Sequence, residues 1–294
     1  MRITPHQSDR VATVVFSAAG WISVLVLLGI FAMLLYNGAR IFSSVRPDAF
    51  LFGTAWNPAA YEVPRFGILP LLVSTLLVTF GAMAVAIPLG IGTAAYLAEF
   101  APLGVYRFVR PVIELFAGVP SVAIGFAGIT LVAPSIARIF GLNNGLNAMN
   151  GAFLLALMAL PTIIIVAEES IRGVPQAFRE ASYALGASRQ STLWRVTLPA
   201  AMSGILTAVM LGLGRALGET MTVLMATGNA AAFPGSFFDP VRTITAAIAI
   251  ELGETAQGTT HYFALFALGA VLFIMSLSVN IVSEKVARRF RYKI

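Results

Sequence analysis

The sequence predicts an all-α membrane protein with six transmembrane helices, and three observations carry that expectation. Hydrophobic residues make up 58% of the 294-residue chain and charged residues only 11%, where a soluble domain usually carries about 25% charge. Six stretches are apolar, poor in charge and long enough to cross a bilayer, which takes about 20 residues. The basic residues also fall mostly on one side of those stretches, as they do in multi-span proteins.

The first stretch, residues 12–37, lies in an uncharged run from Val11 to Ala39. A cleaved signal has a shorter apolar core and a small-residue cleavage site, so this run is expected to be a retained span. The second, 69–98, follows "YEVPRFGILP" and contains Pro88, which a membrane helix tolerates when neighbours re-satisfy the backbone. The third, 112–138, contains "GVPS" at 118–121, a predicted kink or break that would suit a substrate site. The fourth and fifth cover 150–168 and 200–227, and the sixth, 262–284, runs into the basic tail "EKVARRFRYKI". With the N-terminus inside, thirteen of the nineteen basic residues lie on the cytoplasmic side and five outside, leaving Arg215 within a span. Both termini and the loop 172–198 are therefore expected inside, and the loops 39–68 and 228–261 outside. Within the second outer loop, 241–252 reads as a short interfacial helix. The chain divides into a first span with its outer loop, 1–68, and a five-helix core, 69–294.

Several chemistries are excluded. There is no Cys, hence no disulfide and no thiolate ligand, and the two His, His6 and His261, give no metal-ligand spacing. A phosphate-cradling G-x-x-x-x-G-K loop needs a Gly-Lys pair, and neither Lys285 nor Lys293 follows a Gly. The net charge of +6 belongs to membrane flanks rather than to a nucleic-acid surface.

The polar loop between the fourth and fifth stretches reads as two short helices. Pro175 opens the first, "PQAFREASYALG", and Gly186 closes it with an expected positive φ. Ser188 caps the second, and Pro199 opens the next span. Such an elbow would be either an ordinary connection or a knob that docks into a partner. Its residues, Glu180, Ala181 and Ser182, then Gly186, then Val196, Leu198 and Pro199, resemble the EAA motif of bacterial ABC importer permeases, with Ser for the second Ala and Val for Ile. The segments "IELFAGVPSVAIGF", "LGLGRALGETMTVLMATGN" and "ITAAIAIELGE" are similar to those of the phosphate-specific permeases of that family.

This resemblance implies a type I ABC importer permease with a cytoplasmic coupling helix-turn-helix. It would form the transmembrane path for inorganic phosphate. Another oxyanion (phosphonate, sulfate or molybdate) and a phosphate-status signalling scaffold are the alternatives. The chain would carry no cofactor. ATP and Mg would be bound by two partner ATPase subunits, with a second permease subunit and an extracytoplasmic phosphate-binding protein completing the assembly in a bacterial plasma membrane. The resemblance assigns Glu180, Ala181, Ser182, Gly186, Leu198 and Pro199 to ATPase coupling.

"GRALGET" then places Arg215 and Glu219 inside the fifth span, with Thr220 beside them. A charge at the bilayer centre costs at least about 2.5 kcal/mol on insertion scales. At a spacing of four residues the two charges share one helical face and can pair. Either the pair fixes helix packing, or it lines the substrate pathway with Arg as a planar donor fork for an oxyanion. Gly212, Gly214 and Gly218 would admit a close neighbour. Glu114, beside Arg110 and Pro111 at the start of the third stretch, is a weaker pathway candidate.

Overall fold

The computed structural model describes residues 5–289. Among the predicted basic flanks, Arg2, Arg291 and Lys293 lie outside the described residues, as do the side chains of Arg10 and Arg288. Helix α1 (Pro5–Ala39) leads through a tight turn into α2 (Pro47–Phe52) and a small hairpin of β1 (Trp56–Asn57) and β2 (Arg65–Phe66). Helices α3 (Leu69–Ala95), α4 (Leu103–Ala117), α5 (Ser121–Ala127) and α6 (Ala133–Phe140) follow. Then come α7 (Ala148–Arg172), α8 (Gln176–Ala184), α9 (Arg189–Thr192) and α10 (Leu198–Gly218). The chain closes with α11 (Met221–Ala226), α12 (Ile244–Glu251) and α13 (Thr260–Arg289). Among the described residues, six helical segments are long and apolar enough to span a membrane: Ala12–Ser43, Leu69–Phe100, Ser121–Phe140, Ala148–Arg172, Arg189–Gly218 and Thr260–Ala287.

The central span is α7. It packs against α3 and α10, with a core that includes Val78, Ala82, Ala152, Ala159 and Ile163. Small residues set that spacing: a methyl group on Gly90 or Gly212 would press on Ile163, and one on Gly204 would collide with Ser170 Oγ. Two buried asparagines hold the opposite end. Asn147 caps α7 by accepting from the Asn150 N–H at 3.0 Å, and Asn150 Nδ2 donates to the Ala226 carbonyl at 3.0 Å. The first span sits at the periphery. Its N-terminal half exposes Val14, Phe16 and Trp21, as a lipid-facing helix should. Its last turns meet α13 where Gly38 lies against the backbone of Ala267, and Phe31 stacks on Phe273 at 4.6 Å.

Three boundaries differ from the expected ones. The third span begins at Ser121 rather than near 112, because Gly118, Val119 and Pro120 separate it from α4, and Pro120 stands before its first residue. Pro lacks the N–H a continuing helix would use. Glu114 therefore lies outside the span, on α4. The fifth span ends at Gly218 rather than near 227. The segment expected as interfacial instead begins buried: Ile244, Thr245, Ala246 and Ala247 pack among α3, α11 and α13. The Thr75 hydroxyl accepts from the Ile244 N–H at 3.0 Å, and Thr243 caps Ala246 at 3.2 Å.

Candidate functional site: a broken span and a helical elbow

The fifth span breaks where it carries its charges. Glu219 turns extended at φ −68° and ψ 132°, which stops α10 one residue earlier. Arg215 remains in the last helical turn, where a cation is favoured by the helix dipole. It is half-buried, and its one hydrogen bond among the described residues is a long one, Nη1 to Thr162 Oγ1 of α7 at 3.3 Å. The Glu219 carboxylate is held by α11 instead: Oε1 accepts from the Thr222 N–H at 3.3 Å, at the start of that helix. No ion pair joins Arg215 to Glu219 among the described residues. The expected pairing across one helical face fails because the helix ends between them. The glycines also divide. Gly212 does receive a close neighbour, whereas Gly214 and Gly218 face open space.

Three helix ends meet at this break. The Thr245 hydroxyl of α12 donates to the Glu219 carbonyl at 2.8 Å, and the Thr222 hydroxyl of α11 donates to the Ser121 carbonyl of α5 at 3.1 Å. Thr220, also half-buried, donates weakly to the Gly218 carbonyl at 3.3 Å. The break thus gathers Arg215, Glu219 and Thr220 with Thr162 and Thr245, two residues that nothing in the sequence singled out. Such irregular backbone at membrane depth is tolerated where protein or a cavity satisfies it.

The elbow follows its expected plan. Gly186 has φ +80°, and Ser188 Oγ accepts from the Ser191 N–H at 3.2 Å. Ser182 is buried and shares a hydroxyl hydrogen bond with Thr192 at 2.9 Å, locking α8 to α9. Leu198 is buried at the head of α10, and Pro199 occupies its first turn. Glu180 and Ala181 are exposed, and so are the apolar side chains of Phe178, Tyr183, Leu185 and Trp194.

Arginines bolt this elbow to the spans. Arg179 donates Nε to Glu99 Oε1 at 2.9 Å, Nη1 to the Val174 carbonyl at 2.6 Å and Nη2 to the Ile171 carbonyl at 2.8 Å. Arg189 donates to the Glu99 carbonyl. Arg172 donates to the Leu97 carbonyl at 3.0 Å and stacks over Tyr106. One turn back, Glu168 is fully buried between Arg110 and Arg172. Arg110 also holds Glu114 at 2.7 Å and Glu169 at 3.1 Å. Burial pushes the Arg110 guanidinium down, but hydrogen bonds to Glu114, Glu168 and Glu169 and the charge of Glu168 together hold it above its ordinary value. Glu99, Arg179 and Glu168 escaped the sequence reading, since their partners are distant in the chain. The one local signal was an acid four residues from a base, Glu168 and Arg172. At the opposite end, Glu251 accepts from Trp56 at 3.0 Å, Arg242 at 2.8 Å and His261 at 2.7 Å, joining the hairpin, α12 and α13.

Residues 86–292 match the model of a protein family described as the binding-protein-dependent transport system inner membrane component. The chain belongs to this family. The permease is therefore a multi-pass subunit of a multi-subunit ABC importer. Among curated relatives, a probable ABC transporter permease protein of Bacillus subtilis, YqgH, is 36% identical over 92% of this chain and 88% of its own length. The phosphate transport system permease protein PstC of Mesorhizobium japonicum is 35% identical with the same coverage, and PstC of Xylella fastidiosa is 32% identical. Among solved structures, a bacterial alginate ABC transporter aligns at a TM-score of 0.62 and 16% identity over 96% of both chains. The MetNI methionine ABC transporter aligns at 0.58 and 19% identity over 77% of this chain and 95% of that one. At those identities the likeness speaks for the fold alone.

Proposed function

We propose that the permease forms one half of a transmembrane path for inorganic phosphate, with Arg215 as the residue that meets the anion. The observation that carries this reading is a guanidinium set at a helix break within a span, with one long hydrogen bond and no carboxylate partner. A charge in that position needs a counter-charge, and Arg offers paired donors matched to a tetrahedral oxyanion. Glu219 Oε2 makes no hydrogen bond among the described residues, so it can accept one from a protonated phosphate oxygen, which sulfate lacks. Relatives with 32% to 35% identity that are named as phosphate permeases favour the same cargo.

In this reading the α8 end is cytoplasmic. The exposed Phe178, Tyr183 and Leu185 seat in an ATPase subunit, with Glu180, Ala181, Ser182, Gly186, Leu198 and Pro199 shaping the elbow. A second permease, a second ATPase and an extracytoplasmic binding protein complete the machine, and the ATPases hold ATP and Mg. ATP binding and hydrolysis move the elbow, and the bolted arginines carry that movement into α7 and α3.

The test is uptake of radiolabelled phosphate by the intact complex in proteoliposomes, with unlabelled phosphate, sulfate, molybdate or a phosphonate as competitor. Phosphate alone should compete at low excess. Competition by sulfate or molybdate at equal concentration would reassign the cargo to an unprotonated oxyanion.

A further inference from the structure

The α8 end of α10 borders a cavity of about 440 Å³ that the elbow leaves open, lined among others by Ser170, Pro175, Phe178, Arg195, Ser203 and Gly204. Two of its donors are unengaged. Among the described residues, Arg195 makes no hydrogen bond or ion pair, whereas Arg172, Arg179 and Arg189 on or beside the same elbow all have partners. The Ser203 hydroxyl has no partner among the described residues either. A guanidinium left free where its neighbours are all fastened is available to something outside the chain.

The position of this cavity relative to Arg215 gives it a use. Ser203, Thr207, Leu211 and Arg215 recur every four residues on α10 and so form one row inclined to the helix axis. None of the four is buried. On α7, Thr162, Val166 and Ser170 recur in the same way, and none of these is buried. The close packing of Gly204 on Ser170 and of Gly212 on Ile163 sets the two rows side by side. Thr162 touches Arg215 at one end, and Ser170 lines the cavity at the other. The twelve residues from Ser203 to Arg215 span about 18 Å of helix. Hydroxyls therefore recur along both rows between the half-buried guanidinium of Arg215 and the free one of Arg195.

We propose that the two rows border a trough leading from Arg215 to this cavity, and that the cavity is an anion-holding vestibule in which Arg195 and Ser203 receive an oxyanion released from Arg215 before it leaves the protein. The proposal deepens the reading of Arg215 as the pathway residue and rests on it. Arg195 is the one charged side chain on a lining that is otherwise apolar or hydroxyl-bearing, and a lone cation beside a low-dielectric cleft draws anions and disfavours cations. A second weak site also lets an ion leave the first by stages rather than in one costly step.

The chain has no Cys, so a single Thr207→Cys substitution reports access to the trough in the assembled complex. In lipid nanodiscs both ends are open to reagent. Modification is measured with an anionic sulfonatoethyl and a cationic trimethylammonioethyl methanethiosulfonate, each rate divided by that reagent's rate with a small free thiol. The anionic reagent should react about tenfold faster, less so at high salt. Arg195→Gln should abolish the preference, and Arg195→Lys should keep it. Equal rates for both reagents, no modification at all, or a preference that survives Arg195→Gln would each overturn the vestibule. A trough filled by lipid or by the second permease would give the second of these results. Phosphate uptake by the unsubstituted complex separates the two readings. Charge preference without phosphate uptake sinks the cargo and keeps the vestibule, while uptake without charge preference does the reverse.

Discussion

The arginines at the α8 end and Arg215 at the broken span are the same side chain in opposite circumstances. Arg110, Arg172 and Arg179 are met by Glu168, Glu114, Glu169 and Glu99, and by carbonyls at the ends of α3 and α7. Their charge is spent within the chain, and what it secures is the angle of the elbow on the spans. Arg215 has a hydroxyl at 3.3 Å. A partly buried charge with so little around it is poorly placed for stability and well placed to bind. The contrast separates two uses of arginine in a membrane protein: one fixes a joint and the other waits for a ligand.

The strongest way to break the contrast is to remove the acid at the centre of the joint. Glu168→Ala takes from Arg110 and Arg172 the buried carboxylate they share, leaving Arg110 with Glu114 and Glu169 and Arg172 with the Leu97 carbonyl. Loss of one partner of a buried pair costs up to about 3 to 5 kcal/mol when nothing else meets the remaining charge, so the purified variant should unfold at a clearly lower temperature or denaturant concentration. A shift within error of the parent would mean that Glu168 is not the centre of the joint.

Next in size is Arg215→Lys, which keeps the charge and loses the planar fork. Losing a charge-assisted hydrogen bond costs roughly 1.5 to 3 kcal/mol, so phosphate uptake should fall tenfold or more while assembly persists. The same region permits a sharper comparison. Because Arg215 and Glu219 do not pair, Arg215→Gln and Glu219→Gln should act independently on thermal stability, with a coupling below about 0.5 kcal/mol. A coupling of 2 kcal/mol would restore the salt bridge expected from their spacing.

Smaller effects belong to the elbow. Gly186 has φ +80° and no atom near the position of a Cβ, so a side chain there meets backbone strain alone. Gly186→Val should cost about 1 to 2 kcal/mol and weaken co-purification of the ATPase, with Gly186→Asn milder. Equal yields for Val and Gly would remove the positive φ from any part in coupling.

The smallest effect is expected at Asp239, an exposed carboxylate in the loop after α11. The Gly235 N–H at 2.8 Å and the Ser236 N–H at 2.9 Å hold its pKa below the ordinary value. A lowered folded pKa means that this turn is fully tied above the usual carboxylate range and loosens as pH falls through the lowered value. Amide exchange at Gly235 and Ser236 should show that loss of protection on acidification and in Asp239→Asn, while the melting temperature stays put.

Much of this was legible in the amino-acid order. Apolar length alone placed six spans, because a bilayer imposes a minimum run that few other structures share. Local chemistry placed the elbow: Pro175, Gly186, Ser188 and Pro199 act on their own turns, and each sits where those rules put it. The break within the fifth span was not legible. Arg215 and Glu219 are at helical spacing, and the turn to extended backbone at Glu219 is fixed by Thr245, which lies 26 residues further on. The burial of Glu168 depends likewise on Arg110, 58 residues away. Rules of period, capping and turn chemistry describe a residue's near neighbours in the chain. Which hydroxyl reaches a freed carbonyl, and which charge is left without a partner, is decided only when distant segments pack, because burial makes those contacts strong and their absence costly.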